Sequence, residues 1–156
     1  MQMKEKRLLI PIVLFSFLFL SSNSIKWGFY AHKFINRIAV FTLPTEMLAF
    51  YKHHIHYITE NAVNPDRRRY AVEGEAPKHY IDIDVYGDSA LYTMPRYWND
   101  ATQLYTEDTL MAYGIVPWQI NFMHYQLTDA FKIGDVKNIL RISADLGHYV
   151  ADGNVP

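Results

Sequence analysis

Histidine and aspartate are the residues of this chain whose types and spacing could do chemistry. His148 and Asp152 stand four apart in a run of helical periodicity, so both side chains leave one face of the helix about one turn apart. Zinc accepts an imidazole nitrogen and a carboxylate oxygen at close range, and a helix holds such a pair with little ordering cost. The same spacing also suits a solvated pair, or a buried histidine satisfied by its neighbours. Further residues of the same kinds bear on that choice: His32, five residues beyond Trp27; Asp66 in Asn64-Pro65-Asp66-Arg67; and His79 in Pro77-Lys78-His79-Tyr80-Ile81-Asp82. The remaining histidines fit a site less well. His53, His54 and His56 would not share a helix face and read as surface or packing residues. His124, among Ile120, Phe122 and Leu127, reads as a packed histidine or one that supports a metal ligand. Arg67, Arg68 and Arg69 read as a solvated run, with phosphate contact as the alternative because they adjoin Asp66.

The elements that must position these residues read as helices. Phe34, Ile35, Ile38, Ala39 and Phe41 recur at helical spacing, and so do Leu48, Tyr51, Ile55 and Ile58 after Pro44-Thr45-Glu46. A further helix is predicted over Tyr97–Tyr113 with Gly114 as its stop, and Pro117 opens another covering Trp118–Phe131. Gly114–Trp118 is then a turn between helices. Gly134-Asp135 begins the last helix, whose apolar stripe is Val136, Ile139, Leu140, Ile142 and Leu146 and which runs to Asp152. His79–Tyr86 alternates like a strand, yet no second convincing strand exists to pair with it, so it reads as an extended loop or a short helix start. No repeat or low-complexity linker interrupts the chain after residue 26. The expected fold class is all-α, a single multi-helix domain over residues 27–156.

The first 26 residues read differently. Lys4, Lys6 and Arg7 precede an apolar run from Leu8 to Leu20, and Ser21-Ser22-Asn23-Ser24 follows, the layout of a secretory signal peptide. The run is shorter than the roughly 20 residues a spanning helix needs and contains Pro11; an uncleaved anchor is the alternative. The expected location is secreted or periplasmic, with no transmembrane anchor in the mature chain. Removing residues 1–26 leaves 11 basic against 15 acidic side chains, a net charge of −4. That is not the footprint of a protein that holds duplex nucleic acid stably by its phosphates. Cysteine is absent, which excludes thiolate ligands and a cysteine nucleophile and leaves the apolar core and bound metal to hold the fold.

Taken in order, Trp27 with His32, Asp66, the H-[FY]-x-D run at His79–Asp82 and the H-x-x-x-D run at His148–Asp152 ahead of Pro156 resemble the zinc-dependent phospholipase C and single-strand nuclease superfamily. The resemblance covers Trp27–Pro156 and implies an all-α domain with a zinc cleft between helices. It implies Asp66, His79, His148 and Asp152 as ligands of one zinc ion. A second ion would take the backbone amine and carbonyl of Trp27 together with His32 and Asp152, which requires cleavage after Lys26. Asp66 would also orient or deprotonate the attacking water, and in the nuclease branch Tyr80 would stack on a base that Asp82 hydrogen-bonds. The family pattern continues past the proline to ligands of a third ion. Because the chain given ends at Pro156, it is expected to be a C-terminally incomplete member with ligands for two of up to three Zn2+ ions. The implied activity is phosphodiester hydrolysis, on a phospholipid headgroup or on single-stranded nucleic acid. The alternative is a non-catalytic helical domain that zinc stabilises.

Overall fold

Where the chain folds back on itself, glycine, proline and threonine separate the helices. The computed structural model describes residues 23–155, so most of the expected signal peptide lies outside the described residues. The chain falls into two units, residues 1–31 and His32–Pro156. In the first unit the described residues belong to helix α1, Asn23–Val40. Its register continues into the second unit, to which everything below refers.

The helices of the second unit follow as α2 (Thr45–His53), α3 (Ile55–Asn61), α4 (Asn64–Arg68), α5 (Ala90–Thr93), α6 (Trp98–Tyr105), α7 (Glu107–Tyr113), α8 (Val116–Ile133) and α9 (Val136–Asp152). Two 3₁₀ turns, Ala76–His79 and Ile83–Tyr86, flank an extended stretch at Tyr80. No strand occurs among the described residues, and the fold is all-α. No helix among them is long and apolar enough to cross a membrane.

Helix α9 is the organising element. Asp135 caps it by accepting from the Asn138 backbone N–H at 3.1 Å, and Gly134, at φ +71°, ends α8 in the left-handed conformation that suits glycine. Ile139, Leu140 and Ile142 are buried, Leu146 packs against them, and Val136, expected in the same stripe, is exposed at the first turn. The helix lies mainly on α8 and α3, and its core includes Tyr51, Ile58, Val116 and Met123. A smaller cluster of Ala101, Leu110, Ile115 and Trp118 packs α6 and α7 beside the start of α8.

Three expectations are corrected. The helix expected over Tyr97–Tyr113 is two helices, because Thr106 takes φ +68° and its hydroxyl caps α7 by accepting from the Thr109 N–H at 3.4 Å. The helix expected after Pro44 is broken at His54, between α2 and α3. In α1 the apolar positions Phe34, Ile35, Ile38 and Phe41 are exposed, and the buried positions are His32, Asn36 and Val40. The inward face of that helix is mostly polar because Asn36 donates Nδ2–H to the Ala144 carbonyl at 2.9 Å, which satisfies its amide inside the fold.

Candidate metal centre

Each histidine of the cluster is delivered by a different element. His32 comes from α1, His79 from the end of the first 3₁₀ turn, and His148 from α9; Asp66 lies on the short α4 and Asp152 closes α9. Two glycines let those elements approach. Gly147 lies against Asn36, where a Cβ would stand 2.1 Å from Oδ1, so glycine lets α1 bring His32 beside His148. Gly114, at φ +92°, lies against the backbone of Tyr80, where a Cβ would stand 2.2 Å from the carbonyl oxygen. Around it the Ile115 N–H donates to Pro77 O at 2.7 Å, the Val116 N–H to Tyr80 O at 3.1 Å, and the Asp82 N–H to Tyr113 O at 2.7 Å. The turn expected between helices is therefore also the strap that holds His79–Asp82.

The five side chains converge. Asp152 Oδ2 stands 2.7 Å from His79 Nδ1 and 3.0 Å from His148 Nε2, while its Oδ1 stands 3.2 Å from His32 Nε2. Asp66 faces the same groups, with Oδ1 3.7 Å from His148 Nε2 and 3.9 Å from His79 Nδ1, and Oδ2 3.9 Å from His32 Nε2. The two imidazole nitrogens, His148 Nε2 and His79 Nδ1, are 3.1 Å apart, and the His32 ring stacks on the His148 ring at 3.9 Å. Both carboxylates thus bridge a group containing His79 and His148 and a group containing His32.

Hydrogen-bond partners set the protons. His148 Nδ1 lies 2.8 Å from the Ala62 carbonyl, which can only accept, so Nδ1 carries a hydrogen and Nε2 faces the cluster. There it meets a carboxylate oxygen and the His79 nitrogen, a gathering of lone pairs that needs a shared proton or a metal cation at its centre. A tetrahedral ion with bonds of about 2.0–2.1 Å spaces its donors about 3.4 Å apart. The separations of His79 Nδ1 and His148 Nε2 from each other and from Asp66 Oδ1 and Asp152 Oδ2 run from 2.7 to 3.9 Å and bracket that value. The residues therefore fit an ion of zinc's size and donor preference. Burial alone would raise the Asp152 pKa, but hydrogen bonds from His148, His32 and His79 together outweigh it and hold the carboxyl well below the ordinary range.

The sequence-predicted residues divide as follows. His32, Asp66, His79, His148 and Asp152 are brought together. Tyr80 and Asp82 line a cavity of about 390 Å³ that reaches His79 and Asp152 and also includes Arg69, Ile81 and Val116. Trp27 is described only as backbone within α1, and its side chain lies outside the described residues. His53 and His56 are exposed and His54 is half-buried against Phe50, all apart from the cluster. His124, expected to be packed, is exposed, because its turn of α8 faces outward at the edge of a separate cavity of about 670 Å³.

The arginines need correction as well. Only Arg67 is exposed. Arg68 donates to Glu75 Oε1 at 2.8 Å, to Asp145 Oδ2 at 3.1 Å and to the Tyr149 hydroxyl at 2.9 Å. It is drawn inward because Glu75 and Asp145 are buried carboxylates that need a cation. For Glu75, burial would raise the pKa, but the Tyr149 hydroxyl, Lys78 and Arg68 prevail and lower it; for Asp145 burial prevails over Arg68 and the pKa is raised. Arg69 has a buried Nε without a protein partner and lines the cavity beside Asp152. Spacing gave no sign of Glu75 or Gly147 and marked Gly114 only as a helix stop.

Comparison of the chain with protein-family models, with curated proteins and with solved structures finds no match. Fold and site together define an all-α protein with a buried His/Asp cluster able to hold a metal ion.

Proposed function

We propose that the protein is a zinc-dependent phosphoric-diester hydrolase of the phospholipase C and single-strand nuclease type, exported by its N-terminal segment. The observation that carries this reading is the convergence of five His and Asp side chains at the end of a cavity that also holds an unpartnered arginine nitrogen and an aromatic ring. His79, His148, Asp66 and Asp152 would hold one ion, and His32 with Asp152 and the far oxygen of Asp66 would contribute to a second. Zinc bound there would lower the pKa of water toward ~7 and offset charge on phosphoryl oxygens. Asp66 is the most exposed of the five side chains, which suits it to orient the attacking water and accept its proton. Arg69 would take a phosphate oxygen in the cavity, and Tyr80 and Asp82 would meet the group esterified to it.

The test combines zinc content by elemental mass spectrometry with hydrolysis of a nitrophenyl phosphodiester, then of phosphatidylcholine and single-stranded DNA and RNA. We expect stoichiometric zinc and turnover, both lost in His79→Ala and Asp152→Ala. Full turnover in either variant would exclude this site. Zinc binding without hydrolysis of any of these substrates would favour the zinc-stabilised helical domain.

A further inference from the structure

Two ring nitrogens of the cluster are buried without a hydrogen-bond partner, His32 Nδ1 and His79 Nε2, and the second faces a carboxylate. His79 turns Nδ1 to Asp152 and His148, while its Nε2 is buried and has no hydrogen-bond partner. The carboxylate facing that nitrogen is Glu75, four residues earlier at the head of the same 3₁₀ turn, with Oε1 3.9 Å away. Glu75 is 2% exposed, a costly position for a carboxylate unless several donors hold it. Three do: Arg68 Nε–H at 2.8 Å, the Lys78 ammonium at 3.0 Å and the Tyr149 hydroxyl. These anchors are adjacent in sequence to the cluster. Arg68 is two residues from Asp66, Lys78 precedes His79, and Tyr149 follows His148.

We propose that Glu75 is a positioning residue of the metal centre, accepting the Nε2–H of His79 so that the Nδ1 lone pair is free for the ion. The proposal rests on the metal-site reading above. Nδ1, 2.7 Å from a carboxylate oxygen and 3.1 Å from His148 Nε2, faces the cluster, while Nε2 faces Glu75 with no hydrogen-bond partner. When a metal takes the Nδ1 lone pair, the neutral ring keeps one proton, and that proton must sit on Nε2. A bare N–H in that buried position would be unsatisfied, and Glu75 is the acceptor in reach once the ring tilts by about 1 Å to a charge-assisted distance. Because its anchors share elements with Asp66, His148 and Asp152, Glu75 also ties the turn carrying His79 to α4 and α9. The ring is thereby aimed before any ion arrives.

The experiment uses the full chain, zinc chloride titrated by calorimetry, and long-range proton–nitrogen NMR of the histidine rings, with His79 assigned through His79→Gln. We expect the His79 hydrogen on Nε2 when zinc is bound. Glu75→Gln should lower zinc affinity about 10- to 100-fold with helicity retained, and Tyr149→Phe, which frees one anchor of Glu75, should lower it less. A zinc-loaded wild-type chain with the hydrogen on Nδ1 would overturn the proposal, and that result needs no variant to fold. Zinc affinity unchanged in a folded Glu75→Gln would overturn it too while leaving the metal site intact. A wild-type chain that binds no zinc would instead overturn the metal-site reading, and the role of Glu75 with it.

Discussion

In α9 the inward positions are Ile139, Leu140 and Ile142, with His148 on the buried side of the same helix; in α1, from His32 onward, they are His32, Asn36 and Val40, while Ile35 and Ile38 face outward. Both helices carry apolar residues at helical spacing. The difference teaches that periodicity identifies a face but not its direction. Direction is decided by what the opposite wall can satisfy: α9 meets apolar side chains of α8 and α3, whereas the inward face of α1 meets the Ala144 carbonyl and the imidazole and carboxylate groups of the His/Asp cluster.

The comparison breaks first if α9 is not the core helix. Ile142→Ala removes buried methyl groups from a site walled by rigid helices, so we expect a loss of about 2–5 kcal/mol in urea unfolding. A midpoint unchanged from wild type would remove α9 from the centre of the fold.

A smaller effect sharpens the contact between the two helices. Gly147→Ala sets a methyl 2.1 Å from Asn36 Oδ1 and 2.9 Å from its Cγ, and the buried amide has little room to retreat. The expected cost is about 1–3 kcal/mol. Asn36→Ala relieves the clash but loses the hydrogen bond to Ala144, at about 1 kcal/mol. Urea unfolding of both single variants and the double variant should then show the double less destabilised than the sum, because the two residues touch. Strict additivity would mean that α1 does not present Asn36 to α9.

This pair of helices also marks how far the fold and site were legible in the sequence. The all-α class, the span of α9 and the His148–Asp152 face could be read because capping residues and the apolar period agree over many residues. The buried face of α1 could not, because a His and an Asn at every fourth position resemble a solvated face until their partners 108 and more residues away are known. The break at Thr106 was hidden for a related reason: nothing in a threonine's type announces a positive φ, which here is held by the cap it makes. The His and Asp residues that come together could be listed from their types and order, but the burial of Glu75 and Arg68 could not. A buried ion pair between nearby charged residues looks the same in sequence as an exposed one.

The smallest effect tests the outward face of α1. Ile35 and Ile38 are 45% and 46% exposed, so Ile35→Ser and Ile38→Ser remove little buried apolar surface, and each should change stability by no more than about 0.5 kcal/mol. Helix propensity works in the same narrow range, since isoleucine and serine rank close together. A loss of several kcal/mol in either variant, measured under the conditions used for Ile142→Ala, would mean that this face is covered and that the spacing of α1 had pointed inward after all. His32 would then have to turn outward, because His32, Asn36 and Val40 occupy the opposite side of the same turns, and the group of donors around Asp152 Oδ1 would lose its imidazole. The effect of a serine on the surface of one helix thus bears on whether His32 belongs to the His/Asp cluster at all.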